Sequence, residues 1–246
     1  MRDRKLSSLA VTAFENGLRL HEDSVLLFEH GSYASALALS VLGLEELGKY
    51  FIVEDVVWNA DINGPWSPDD KKAWLLAAYD HRRKQSKAAW LADLTAAERV
   101  QTLLRGGALE AAKQSGLYVG LPRKGRRDID LLGRIANPIR VGRRRAAEQI
   151  TLLSDFLVVY CIGVRAGTLG CDVYDVENRL TLQLARQLRK LWPRMGRKAS
   201  RYIRHLRPAL LQRSSAGRRG RPTNSRASAA VTGEGCAPRV SRLRKA

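Results

Sequence analysis

Three charges interrupt an otherwise apolar stretch, residues 33–53, YASALALSVLGLEELGKYFIV: Glu45, Glu46 and Lys49. Wound as a helix at about 100° per residue, Leu37, Leu39, Val41, Leu42, Leu44, Leu47, Phe51 and Ile52 leave no polar face. That is the pattern of a helix at the centre of a bundle. Charges held there need partners, because burying an unpaired one is costly. Glu45 and Lys49 stand four apart with the acid first, the favourable order for an intrahelical pair. Glu46 points away from Glu45 and reaches Lys49 only as a three-residue neighbour, so it calls for a partner on another helix. Two readings stay open: an ion pair that fixes the register of the bundle, or a functional site in its interior.

The second group that could do chemistry is His81 with Lys84. Trp74, Ala78, His81, Gln85 and Ala88 alternate by three and four, which places His81 on an inward seam with Lys84 near it and Arg82 and Arg83 toward solvent. A histidine titrating near neutrality beside a lysine can deprotonate a ribose 2′-hydroxyl and stabilise the charge of a phosphorane. Glu46, Lys49, His81 and Lys84 are therefore the candidate catalytic residues. The plainer alternative is a satisfied core histidine. There is no glycine-rich phosphate loop, HExxH, GxSxG or cysteine cluster. No metal and no cofactor are expected, since Glu45 and Glu46 are adjacent and diverge on a helix, unlike an ExxH ligand pair.

The elements that must position these residues read as helices. The first spans 5–30, with Leu6, Leu9, Phe14, Leu18, Val25 and Leu26 as its stripe. Gly31 ends it and Ser32 caps the central helix, which closes before Asn59, so the two pack as an antiparallel hairpin. Ser67-Pro68-Asp69-Asp70 starts a third helix that runs to about residue 93. Thr95 to Glu98 reads as a capping box for a fourth helix, broken at Gly106-Gly107. Residues 113–120, KQSGLYVG, turn into a short extended segment, and LPRKGRRD after it is a surface loop. Asn137-Pro138 starts a long helix over 139–167 that Gly167 ends, and a last helix covers 174–205. The predicted class is all-α, a helical bundle with a basic, disordered C-terminal tail from Arg207 onward.

The formal charge of +19 is localised: residues 186–246 hold 18 Lys and Arg against one acid, Glu234. The body is nearly neutral, which excludes a basic surface spread over the whole domain. We place a helical domain at 1–192 and a basic extension at 193–246, with Arg194, Arg197, Lys198, Arg201 and Arg204 as candidate contacts to nucleic acid. A solvated tail without a partner is the bland reading of the same residues. Cys161, Cys171 and Cys236 form no CxxC pair, which fits a reducing compartment. The N-terminus meets Glu15 too early for a signal peptide, and residues 150–164 are short for a membrane span and carry Asp155. The protein is expected to be cytoplasmic, with no membrane partner.

YASALALSVLGLEELGKYF, followed by HRRKQ and then KQSGLYV, resembles the AbiV-type abortive infection proteins of the HEPN superfamily over about residues 8–165. The EExGK element, here Glu45, Glu46, Gly48 and Lys49, is its most specific part, and Tyr118 falls in the third motif. The resemblance implies a HEPN-like bundle, often a homodimer. It also implies phage defence in which RNA or the ribosome is the target and a phage-encoded protein the activator. Two positions depart from the pattern. Gly120 stands where an acid is expected after LYV. The Arg-x4–6-His motif of HEPN ribonucleases is absent, since the windows before His81 and His205 read WLL and KAS. Chemistry, if present, uses other groups. The alternative is a non-catalytic module that blocks translation or a phage factor by docking, or one that serves another effector.

Overall fold

The computed structural model describes residues 4–216 apart from 65, 97, 107–108, 122–131, 134 and 136. Helices α1 (Arg4–Glu29) and α2 (Tyr33–Asn63) form the expected hairpin. Gly31 takes φ 77°, which lets the Ser32 N–H reach back to the Leu27 carbonyl at 2.8 Å. Ser32 stands at the start of α2, but its hydroxyl makes no capping bond. The stripe of α1 is buried at Leu6, Phe14 and Val25, whereas Leu26 is exposed. As expected, α2 is buried all round and packs against α1, α4, α6 and α7. It runs past Asn59 because that side chain donates to the Asp55 carbonyl within the helix, and it stops at Gly64.

The third predicted helix is two. Helix α3 (Pro68–Leu76) and a 3₁₀ turn (Ala77–Tyr79) precede α4 (His81–Thr95). The break is at Asp80, extended at φ −93° and ψ 118°, whose carboxylate accepts the Arg83 N–H and caps α4. Thr95 does not form a capping box: its hydroxyl donates to the Leu91 carbonyl and closes α4. After α5 (Glu98–Arg105), α6 (Leu109–Leu117) takes in Lys113 to Leu117, so that stretch is helical rather than extended. The predicted LPRKGRRD loop lies outside the described residues except Leu121.

Asn137-Pro138 yields only a 3₁₀ turn (Pro138–Arg140), and α7 (Arg143–Ala166) begins after Gly142. Gly167, at φ 73°, ends it as predicted. By length and composition α7 could cross a membrane, but most of it is buried among the other helices. The last predicted helix is three: α8 (Tyr174–Arg179), α9 (Leu182–Leu191) and α10 (Arg197–Ala216). Thr181 caps α9 by accepting the Leu184 N–H, and Trp192-Pro193 ends it. Helix α10 packs on α7 and α4, burying Ala199 and Leu206. It continues to Ala216, so residues 207–216 are helical rather than disordered, and 217–246 lie outside the described residues. No strand occurs among the described residues.

Besides Glu45, the bundle holds Glu54 and Asp155 in its interior. Glu54 accepts hydrogen bonds from Tyr50 (2.6 Å) and Tyr160 (3.1 Å) and from the Asp172 N–H (3.1 Å). Asp155 accepts the Gly196 N–H at 2.8 Å, tying α7 to the α9–α10 junction. Burial pushes both carboxyls up to about 7. Each acid holds its proton more tightly folded than unfolded, so its contribution to stability falls as pH rises toward 7. His21, fully buried, is pushed down to about 4 and acts with the opposite sign over the acidic half of that range. Glu54→Gln removes one falling contribution. Its melting temperature relative to wild type should rise between about pH 5 and about pH 8, and a constant difference would contradict the assignment.

Candidate functional site

Glu45, 1% exposed, is the point where α2, α4 and α6 meet. Its Oε2 accepts from His81 Nδ1 at 2.6 Å and lies 3.5 Å from Lys84 Nζ. Its Oε1 accepts from Gln85 Nε2 at 2.9 Å and Lys113 Nζ at 3.0 Å. His81, Lys84 and Gln85 are spaced i, i+3, i+4, so the first turns of α4 offer all three to one point. Lys113 comes from α6 and also pairs with Glu110 at 2.7 Å. Burial alone would raise the Glu45 carboxyl, but the hydrogen bonds from His81, Gln85 and Lys113 outweigh it and hold it below the ordinary carboxylate range. Two carboxylates, Glu45 and Glu110, thus face two ammonium groups, Lys84 and Lys113.

Close helix approach makes this geometry possible. A Cβ on Gly48 would lie 2.0 Å from the Lys84 carbonyl oxygen, and one on Gly116 would lie 2.8 Å from that of Ala34. Gly48 is one turn after Glu45 and Gly116 one turn after Lys113. Each glycine lets its helix close on the neighbour that carries a partner. This gives Gly48 of the EExGK element a steric role.

The acid–acid–lysine trio does not act as one unit. Lys49 bonds both oxygens of Glu46, at 2.8 and 2.9 Å, rather than pairing with Glu45. Glu46 needs no partner on another helix, and the pair faces α1 beside Leu9, Thr12 and Asn16. Glu46 and Lys49 are thus separated from His81 by the width of α2. Adjacent helical positions diverge, and the four donors around Glu45 leave that carboxylate no need of Lys49. His81 is also not an inward residue: its side chain is 50% exposed, with Nδ1 turned in. Lys84 is buried, as the seam predicts. Tyr118 is exposed beyond the end of α6.

Lys113 and Glu110 escape a sequence reading that makes residues 113–120 extended. The available signal is the demand of Glu45 for cations, together with Lys113 in the third motif. Donor atoms of Glu45, His81 and Glu110 lie close enough together to hold a metal ion. Lys113 Nζ stands among them, 3.2 Å from His81 Nδ1, and fills that position with its own charge. Arg194, Arg197, Lys198, Arg201 and Arg204 are all exposed at the α9–α10 junction and along α10. They are remote from Glu45 in sequence and are held by other elements.

An all-α bundle whose central helix carries a buried acid met by cations from two neighbouring helices is consistent with a HEPN helical bundle. The chain belongs to the AbiV family of abortive-infection HEPN proteins: the family model HEPN_AbiV, described as AbiV, matches residues 5–156. No curated protein and no solved structure matches the chain.

Gly48→Ala should lower unfolding stability by about 1–3 kcal/mol or more through overpacking against α4. Glu45→Ala strands the buried Lys84 ammonium and leaves Lys113 with Glu110 alone, and should lower it further, by about 3–5 kcal/mol. Urea denaturation checks both, and losses under about 0.5 kcal/mol would show that this cluster does not hold the helices together.

Proposed function

We propose that this protein acts on RNA, of the cell or of its translation machinery, during phage infection, with His81 as the general base. The observation that carries the reading is a half-exposed imidazole whose Nδ1 is held at 2.6 Å by a buried carboxylate. With Glu45 ionised, Nδ1–H donates to Oε2 and the Nε2 lone pair is left open, the tautomer a base requires. His81 Nε2 would take the proton of a ribose 2′-hydroxyl, the 2′-oxygen would attack the adjacent phosphorus, and the 5′-oxygen would leave with a proton returned by the imidazolium. Arg82 and Arg83, exposed in the first turn of α4 and without a carboxylate partner among the described residues, would receive the phosphate charge. Lys84 and Lys113 hold Glu45 in place, and Glu46 and Lys49 take no part. In this reading the phage-encoded activator and the homodimer implied by the family likeness act on the same site from outside.

His81→Ala, whose position at the start of α4 is half in solvent, should fold normally. It should lose phage protection, with RNA turnover down by about 10²-fold or more. Lys49→Ala should keep both. Plaque counts and RNA integrity in phage-challenged cells decide: full protection by His81→Ala overturns the proposal.

A second reading, docking without cleavage, is favoured by the row of exposed cations on α10. Truncation after Trp192 would remove α10 with its buried Ala199 and Leu206, bare the faces of α7 and α4 that it packs on, and disturb the core. Charge reversal at Arg197, Arg201 and Arg204 is the cleaner change. Under this reading it should abolish salt-dependent RNA binding while His81→Ala leaves binding intact; unchanged binding by the reversed variant rejects docking through α10.

A further inference from the structure

A cleft of about 920 Å³ opens where the end of α4, α5, α6, the first half of α7 and the α9–α10 junction meet. Its walls are hydrocarbon: Leu37, Val100, Leu103, Leu109, Ala112 and Leu152. Leu103 is 41% exposed there. Around it stand five cations, Arg144, Arg145, Arg194, Arg197 and Lys198.

Two acids line the cleft: Glu148 is exposed, and Asp155 is buried with its Oδ1 unpartnered among the described residues. Glu148 lies 3.6 Å from Arg144, and Asp155 accepts the Gly196 N–H. Arg194 stacks on Phe28 and Trp192, 5.8 and 5.2 Å from their ring centres. Arg145, Arg197 and Lys198 face no carboxylate among the described residues.

Cations collected around a low-dielectric cleft repel one another and raise the local concentration of anions. Hydrocarbon walls open to water favour an apolar occupant. One molecule meets both demands only if it carries a negative head and an apolar body. Hydrocarbon predominates in the wall, although the polar residues Thr95, Gln149, Thr151 and Asp155 also line it. Gln149 Nε2 and Asp155 Oδ1 have no hydrogen-bond partner among the described residues, which makes ATP a necessary competitor in the titration. The remaining chain is not suited: residues 217–246 carry eight Lys and Arg against one acid, the same sign as the cleft. A second copy would bring its own cations to the same place.

We infer that this cleft binds a small anionic amphiphile, a phosphate or carboxylate head on an alkyl or acyl body. Its head would meet Arg145, Arg197 and Lys198, and its body would lie against Val100, Leu103, Leu109 and Leu152. This site is distinct from the Glu45 cluster and uses none of its side chains.

Calorimetric titration of the full chain tests it with octyl phosphate below its micelle concentration, inorganic phosphate, octyltrimethylammonium, ATP, and vesicles of zwitterionic and anionic phospholipid. Octyl phosphate should saturate one site, with inorganic phosphate and octyltrimethylammonium weaker by about tenfold or more. Arg197→Glu with Lys198→Glu, both on the exposed face of α10, should weaken octyl phosphate by about tenfold, and so should Leu103→Asp, with helicity unchanged by circular dichroism. The inference is overturned by no saturable binding, by equal binding of the cationic amphiphile, by ATP binding more tightly than octyl phosphate, or by binding to vesicles alone, which would mark a membrane surface.

Discussion

The bundle depends on one carboxylate that water does not reach. An ionised Glu45 with no partners would be expelled from the interior or protonated. It stays because α4 delivers an imidazole, an ammonium and an amide to it, and α6 delivers a second ammonium. Each donor arrives from a helix whose position is otherwise set by packing, so the cluster fixes the register of α4 and α6 on α2. Charge balance and helix register are here a single requirement. A hydrocarbon core would hold the helices together equally well, but it would tolerate sliding that Glu45 does not.

Much of this fold is legible in the chain. The apolar circumference of residues 33–53 identifies the central helix, the glycines at 31 and 167 mark its neighbours' ends, and Ser67-Pro68 opens α3 as read. The errors have local causes. Asp80 is a cap hidden inside a periodic seam, so one predicted helix becomes α3 and α4. Trp192-Pro193 breaks an amphipathic run whose charge pattern continues on both sides. Residues 113–117, with a serine and a glycine, look like a helix stop, yet α6 keeps them because Gly116 packs against the Ala34 carbonyl. Tertiary contact outweighs local propensity there.

The site was half legible. Buried charge in α2 and a histidine with a lysine on the following helix are visible in the sequence, and His81 and Lys84 do meet that charge. Which acid they meet is not visible. Glu45 and Glu46 are equivalent as letters, and intrahelical spacing assigns Lys49 to Glu45, whereas the structure gives it to Glu46. Only the directions of α1 and α4 around α2 decide which carboxylate faces which neighbour. Lys113 lies 68 residues from Glu45 in the chain, and no local pattern links them.

Helix α6 is a partition with two occupied faces. Leu109 and Ala112 line the cleft, while the next residue, Lys113, is locked into the Glu45 cluster. Nine residues long, it has no interior in which to absorb a displacement of one face without moving the other. Packing on the leucine side and the contact from ammonium to carboxylate on the other are therefore set by the position of one short helix. The short helix would then join two chemistries that share no side chain.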